Sequence, residues 1–402
     1  MSDVKYWLWL STAPRIGPRA VDALLRHYGS PEEMYFAPKG EISRLLPKRI
    51  EGTEKLEKRD LDAANRIMEK CDNQGIRVIT LQDDDYPSRL KNIFSPPAVL
   101  YVKGTLPAID EEAAIAVIGT RNASPYGTKM GRKMGYEIAK CGGLVISGLT
   151  VGVDSAAAEG ALLADAKCIG VLGLPHELDK SRFAEDIVVR GALISEYAPG
   201  TKPYSSFFRA RNRISSGLSL GVVVVEAPLK SGTRLFTNEA AEQGKEIFVV
   251  PGNADSENCE GTNAMLKEGA KPVTDGWEVV SEFAMLYPDK VKKASLEMPS
   301  VWPKRPENEP SKGTFAEKRT KKVIDKPDDT AYIDLQKQLE GLSPSQLKIV
   351  SVMDKPSMHV DDIINSSGFS PAKVLADLTL LQIKGYVSQT SGKRFTLNIK
   401  TK

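Results

Sequence analysis

The 402-residue chain carries 55 basic against 52 acidic side chains, is 41% hydrophobic and 7% aromatic, and has a formal net charge of +3. That length allows two or three domains and at least one large core, and so small a net charge means that a nucleic-acid partner would show in local clustering of cations rather than in the total. No run approaches the ~20 apolar residues of a membrane span, and the opening MSDVKYWLWLSTAP lacks the basic region of an export signal, so a cytoplasmic protein without a membrane partner is expected.

Residues 1–74 read as a helical module. Ala20, Leu24, Leu25 and Tyr28 recur at helical spacing, after a turn at Pro14–Gly17 and before Gly29. The arrangement is similar to a SAM or helix-hairpin-helix module, whose turn offers amides to a DNA phosphate, except that Arg15 stands where the first glycine of that turn would be. A helical protein-contact module fits equally well. Cys71, Cys141, Cys168 and Cys259 lie far apart without a CxxC, and His27, His176 and His359 are equally scattered, so no zinc site is readable. Reduced thiols are expected, with Cys168 in the core.

The segment 75–110 reads as a connecting region, with a strand at Arg77–Leu81 and a turn at Ser95-Pro96-Pro97. It opens a domain expected over 75–285. There, strands at Ile115–Ile118, Leu144–Ser147, Cys168–Leu172, Leu193–Ser195, Val222–Val225 and Ile247–Val250 alternate with helices at Pro125–Lys140, Asp154–Leu163 and Phe236–Gln243. Unbroken β-branched runs indicate strands covered on both faces. The alternation gives an extended, Rossmann-like, doubly wound and mostly parallel α/β sheet.

From 286 to 332 the prolines Pro299, Pro303, Pro306, Pro310 and Pro327 sit among charges with little apolar periodicity, which reads as a solvated linker. Residues 333–402 then read helix, turn, helix and two strands ending at Tyr386-Val387 and Phe395–Leu397, a winged-helix pattern. Its presumed second helix, Pro371–Ile383, carries Asp377 and few cations beyond Lys373, which favours protein contact over duplex DNA.

Ligands of a doubly wound sheet bind outside the carboxyl ends of its strands. The first such end is Gly119-Thr120-Arg121, followed by Ser124 and Pro125 as cap and first residue of a helix facing the crevice. The second holds Ser147, Gly148, Thr150 and Gly152. Ser231-Gly232-Thr233 and Gly261-Thr262-Asn263 follow two later strands. Convergence of hydroxyls, free amides and helix N-termini is the pattern that builds an anion site. Absence of GxGxxG and GxxxxGK[ST] argues against a dinucleotide cofactor and a P-loop. No nucleophile–histidine arrangement can be assembled, because His176 is the lone histidine of the block and reads as a loop residue. A binding site without catalytic residues and without a cofactor is therefore expected. Before the fifth strand of the block, Phe207, Phe208, Arg209, Arg211, Asn212 and Arg213 combine aromatic faces with guanidinium groups, the means by which single strands are held without sequence readout. The structural alternative is that Arg211 and Arg213 pair with acids such as Glu196 and Glu226.

The strings VIGTRNASPYG, ISGLTVGVDSAAAEGAL, GALISEYAPGT, RNRISSGLS, VVVVEA, KSGT, AAEQGKEIFVVPGN and GTNAMLKEGA, in order over about 75–275, resemble the DNA-processing protein A family, DprA or Smf. The resemblance implies a non-enzymatic protein that binds single-stranded DNA, forms a homodimer and loads a RecA-type recombinase during natural transformation. It carries the glycine–hydroxyl–arginine turn onto Gly119, Thr120 and Arg121, the second loop onto Ser147, Gly148 and Gly152, and the RNR string onto Arg211, Asn212 and Arg213. This chain departs from the family pattern at Ala158, where a histidine is usual, at Arg209, where a proline is usual, and over 174–187, where the tyrosine–proline segment is missing. Lys180 and Arg182 are expected to supply rim charge instead. The competing reading is an enzyme related to the nucleoside-monophosphate phosphoribohydrolases, in which Glu239 would have to serve as the catalytic acid but lies too far beyond Gly232-Thr233. A third is an adaptor acting through the winged helix alone.

Overall fold

The computed structural model describes residues 3–13, 16, 18–46, 53–298, 343–353, 358–383, 386–390 and 394–397. The expected Pro14–Gly17 turn with Arg15, and the linker prolines from Pro299 to Pro327, lie outside the described residues. The chain divides into two units, Met1–Ser311 and Lys312–Lys402.

Among the described residues, nine strands form the sheet of the first unit: β1 Ile76–Thr80, β2 Val99–Gly104, β3 Ala113–Ile118, β4 Gly143–Ser147, β5 Cys168–Leu172, β6 Ala192–Ser195, β7 Gly221–Val224, β8 Glu246–Val249 and β9 Lys271–Pro272. Their order is β1-β2-β6-β5-β4-β3-β7-β8-β9. From β6 to β9 every pairing is parallel, while β2 runs antiparallel to both β1 and β6. The chain leaves β3 toward β4 on one side and returns through β7 on the other, so the strand order reverses at β3/β7 and opens a crevice there.

Alternate residues of β3 divide between two cores, Ala113, Ile115 and Val117 on one face and Ala114, Ala116 and Ile118 on the other. This is why the central strands lack a polar side. Cys168 is fully buried among them, and all four cysteines are free and buried. Strand β2 corrects the reading of 75–110 as a connector. Its Tyr101, Val102, Lys103 and Gly104 pair with β6 and extend the sheet by two strands.

Among the described residues, six helices from Val4–Ser11 to Asp62–Gln74 form the N-terminal part. Trp7, Leu8, Trp9 and Leu10 are buried in one cluster with Ile76, Val99 and Tyr101, so the helices share their core with the β1–β2 hairpin. The described start of the expected linker is likewise bound to the domain. The Tyr136 hydroxyl donates to the Glu297 carbonyl at 2.6 Å, and the Lys292 amide donates to the Cys141 carbonyl at 3.1 Å.

In the second unit, helices Pro344–Val352, Val360–Ser367 and Pro371–Ile383 surround a core of Ile349, Ile363, Val374, Leu378 and Phe395. The first is fixed by a capping box between Ser343 and Gln346. Short strands β10 Met358–His359, β11 Val387–Thr390 and β12 Arg394–Leu397 pair in the order β10-β12-β11. Pro371–Ile383 is the third described helix of the unit, not the second. Asp377 is buried against Gln346 and adds no charge to its exposed face.

Candidate nucleic-acid interface

At the β3/β7 reversal the carboxyl ends of the strands surround a cavity of about 480 Å³. The β3 turn supplies Gly119, Thr120 and Arg121; the β4 loop supplies Gly148, Thr150 and Asp154; the segment before β7 supplies Ser205, Phe208, Arg209, Arg211 and Asn212; and the loop after β7 supplies Lys230, Ser231, Gly232 and Thr233. Ile118, Ile146 and Phe236 form apolar wall between these groups.

The β3 turn is fixed by its backbone. The Thr120 amide donates to the Glu226 carbonyl at 2.7 Å. A Cβ at Gly119 would lie 2.5 Å from Val153 Cγ2 and 2.8 Å from the Glu226 carbonyl oxygen, so the close approach needs glycine. Gly152, at φ +94°, would place a Cβ 2.3 Å from the Thr120 carbonyl oxygen. It seats the β4 loop against the turn and does not line the cavity.

The helix beginning at Pro125 does not offer its N-terminus to a ligand. Ser124 accepts from the Gly127 amide, as a cap should, but the Ser124 amide and hydroxyl donate to the buried Glu226 carboxylate at 2.9 and 2.6 Å. That end already holds an anion. The Gly232–Glu242 helix is different: its N-cap, Ser231, makes no capping bond, and Ser231, Gly232 and Thr233 all line the cavity. Gly261, Thr262 and Asn263 also fall outside the cavity. Thr262 is fully buried with its hydroxyl donating to the Cys259 carbonyl, and the Asn263 side-chain amide donates to the Gly252 carbonyl.

The three arginines of the RARNR stretch part company. Arg209 is exposed on the rim. Arg211 is 5% exposed at the cavity wall, with Nη1 donating to the Val171 carbonyl at 2.7 Å. Arg213 pairs with Glu196 at 2.5 Å and lines a neighbouring depression instead. Glu226 takes part in neither arginine's pairing; it is engaged by Ser124.

Asp154 stands in the ISGLTVGVDSAAAEGAL string but is not among the expected site residues, yet it is the sole carboxylate among the described lining residues. It is buried, accepts from the Thr150 hydroxyl at 2.9 Å, and lies close to the Gly119 amide and to Arg211. Burial pushes the Asp154 carboxyl above its ordinary range, opposed chiefly by the Arg211 charge. Burial pulls the Arg211 guanidinium down, opposed by Asp154. Ser147, expected in the site, stands behind it: fully buried, its hydroxyl donates to the Asp154 carbonyl at 2.8 Å. Lys230 is a second lining residue that the sequence reading misses, although it sits in the KSGT string directly before Ser231.

Arg211 is buried, so the accessible charge is that of Arg121, Arg209 and Lys230, all exposed. The Arg121 guanidinium lies 5.6 Å from the Phe208 ring centroid, within cation–π reach. A cationic rim, an aromatic face and an uncapped helix N-terminus are thus brought to one opening. Glu239 lines two other depressions and not this one, and no glutamate is among the described lining residues of the cavity.

Residues 77–284 match the family described as DNA recombination-mediator protein A, and residues 335–393 match the DprA winged helix domain. The chain belongs to the DNA recombination-mediator protein A (DprA/Smf) family. It is 34% identical to DNA processing protein DprA of Bacillus subtilis over 221 residues, 54% of this chain and 74% of that one. Protein Smf of Synechocystis is 28% identical over 407 residues, 98% of each chain. The X-ray structure of DNA processing protein A from Streptococcus pneumoniae superposes with a TM-score of 0.62 at 27% identity, covering 70% of this chain and 99% of that one.

Of the departures from the DprA pattern, Arg209 stands on the rim of the opening, whereas Ala158 and the 174–187 segment do not line it. Ala158 is fully buried in the core, not on a rim. Lys180 and Arg182 do not line the cavity; Arg182 stands 3.8 Å from Glu159 and over the Phe183 ring. His176 is buried, with Nε2 2.8 Å from the Tyr101 carbonyl oxygen, where burial pushes its pKa down. Among the described residues no cluster of His, Cys, Asp and Glu could hold a metal ion, and no helix is long and apolar enough to cross a membrane.

Proposed function

We propose that this member of the DprA/Smf family binds single-stranded DNA across the β3/β7 opening and, as a homodimer, delivers it to a RecA-type recombinase during natural transformation. Arg121, Arg209 and Lys230 neutralise phosphates, the amides at Ser231, Gly232 and Thr233 receive one phosphate, and Phe208 stacks a base. Gly119, Thr120, Gly148 and Asn212 shape the opening. Ser147, Gly152 and Arg211 hold its loops in place from behind, and Arg213 anchors the neighbouring segment through Glu196. The action is binding rather than catalysis.

The observation that carries this reading is the Arg121 guanidinium over the Phe208 ring at the mouth of the cavity. A cation and an aromatic face presented together suit a flexible strand whose bases are free to stack. The family's description as a recombination mediator supports delivery of the bound strand to a recombinase. Fluorescence anisotropy with oligo-dT and with a duplex of equal length tests the binding step. The parent protein should prefer oligo-dT, and Arg121→Ala combined with Arg209→Ala should abolish that preference. Equal affinity of the parent for both nucleic acids, or an unaffected double variant, would overturn the reading.

A further inference from the structure

Around the Ser205–Ala210 helix the side chains face three ways. Phe207 packs inward, its ring stacked on Tyr197 at 3.7 Å and 9°. Ser205 and Phe208 line the cavity. Ser206, Arg209 and Ala210 line a second depression whose other walls include Glu239 and Glu242. A phosphate chain leaving the cavity past Arg209 would therefore run onto two carboxylates.

The other way off the rim begins at Tyr204, the residue that caps this helix one turn before Phe208. Tyr204 is 60% exposed, yet its ring is held edge-on against Phe207 at 5.4 Å and 71°. The Tyr197–Phe207 stack thus braces an outward-facing aromatic, which lowers the ordering cost of using it as a contact. Lys202, two residues earlier, is exposed and supplies a cation beside it.

We propose that Tyr204 is a second base-stacking platform, which carries a single-stranded nucleic acid off the cavity rim from Phe208 toward Lys202. The inference rests on the reading of the cavity as a single-strand site. Successive bases stack on Phe208 and Tyr204 while Arg121 and Lys202 neutralise the backbone, an alternation of cations and rings that tracks a strand without reading its sequence. The acidic depression beyond Arg209 sets the direction.

The test compares Tyr204→Ala, Tyr204→Phe and Arg121→Ala on oligo-dT and on an abasic deoxyribose-phosphate oligomer of the same length. Tyr204→Ala should weaken oligo-dT binding roughly five- to 150-fold, the range that corresponds to about 1–3 kcal/mol per stacked base. It should leave abasic binding at the parent level, and Tyr204→Phe should keep the parent affinity for both. Arg121→Ala should weaken both ligands. If Arg121→Ala weakens binding while Tyr204→Ala leaves oligo-dT unchanged, or lowers both ligands equally, the platform is wrong and the cavity reading stands. Should Arg121→Ala leave both ligands unaffected, the cavity reading itself fails.

Discussion

Asp154 and Arg211 face each other across the missing side chain of Gly148: a Cβ there would lie 2.0 Å from Arg211 Nη1 and 2.4 Å from Asp154 Oδ2. The glycine is thus a spacing requirement and not only a turn residue. Gly148→Ala must push apart two buried charged groups that compensate one another, and both are anchored, Arg211 to the Val171 carbonyl and Asp154 to Thr150. Thermal stability and single-strand affinity should fall together in this variant. A melt and an anisotropy titration on the same preparation check it, and an unchanged value in either contradicts the coupling.

Arg211 and Arg121 separate structural from binding roles. Arg211→Ala removes the charge that chiefly opposes the burial of Asp154 and leaves the Val171 carbonyl without its donor, a loss of about 1–3 kcal/mol for a buried polar group left unpaired. Arg121 is exposed and makes its ring contact at the cavity mouth, so Arg121→Ala should alter stability by no more than about 0.5 kcal/mol. Urea unfolding should show a lowered midpoint for the first and a parent-like one for the second, while loss of oligo-dT affinity in properly folded protein should follow Arg121→Ala.

Arg213→Ala provides the contrasting outcome within the same RNR string. Its guanidinium pairs with Glu196 and lies outside the cavity. Oligo-dT affinity should stay within about twofold of the parent, since the substitution removes an ion pair internal to the chain and leaves every phosphate-facing cation of the rim in place. A drop comparable to that of Arg121→Ala would show that the strand reaches Arg213.

Which parts of this arrangement are legible in the sequence follows from what each signal encodes. Buried parallel strands announce themselves as β-branched runs, so the pattern places β5 at its observed bounds and β3, β4, β6, β7 and β8 to within two residues at each end. Strand β2 is hidden because Val99–Gly104 lies just beyond a double proline and ends in lysine and glycine, features that read as a loop. Side-chain direction is the larger loss. Arg209, Arg211 and Arg213 are indistinguishable as letters, but the two short helices that meet at Arg211 turn the three side chains to a rim, a core and a neighbouring depression. Asp154 escapes notice because an aspartate in the first turn of a helix is ordinary dipole chemistry. Only the folded chain reveals that Arg211 is its neighbour.

Salt dependence measures how many phosphates the rim engages. For single strands log K falls with log salt by about 0.7 per phosphate neutralised. Removing Arg121, Arg209 or Lys230 singly should flatten that slope by about 0.7 each, whereas Arg213→Ala should leave it unchanged. Titrations at several salt concentrations give the slopes directly, and a flat parent response would contradict phosphate contact at this rim.

Lys245 offers a pH test of burial outside the site. It is half-buried just beyond the Gly232–Glu242 helix, with Nζ donating to the Gly217 carbonyl at 3.4 Å, and burial together with the neighbouring Arg89 charge pushes its pKa from 10.5 down to about 8. Between pH about 8 and 10.5 the folded chain has released a proton that the unfolded chain still holds. Stability contributed by this group therefore rises with pH across that window, and the full penalty of burying the charge is present below it. Lys245→Met removes the charge and keeps most of the apolar stem. The variant should be more stable than the parent at neutral pH, and its advantage should fade as pH climbs through that window toward 10.5. Chemical unfolding of both proteins over this pH series reads the difference directly; a difference that does not vary with pH would mean that the ammonium group is solvated in the folded chain.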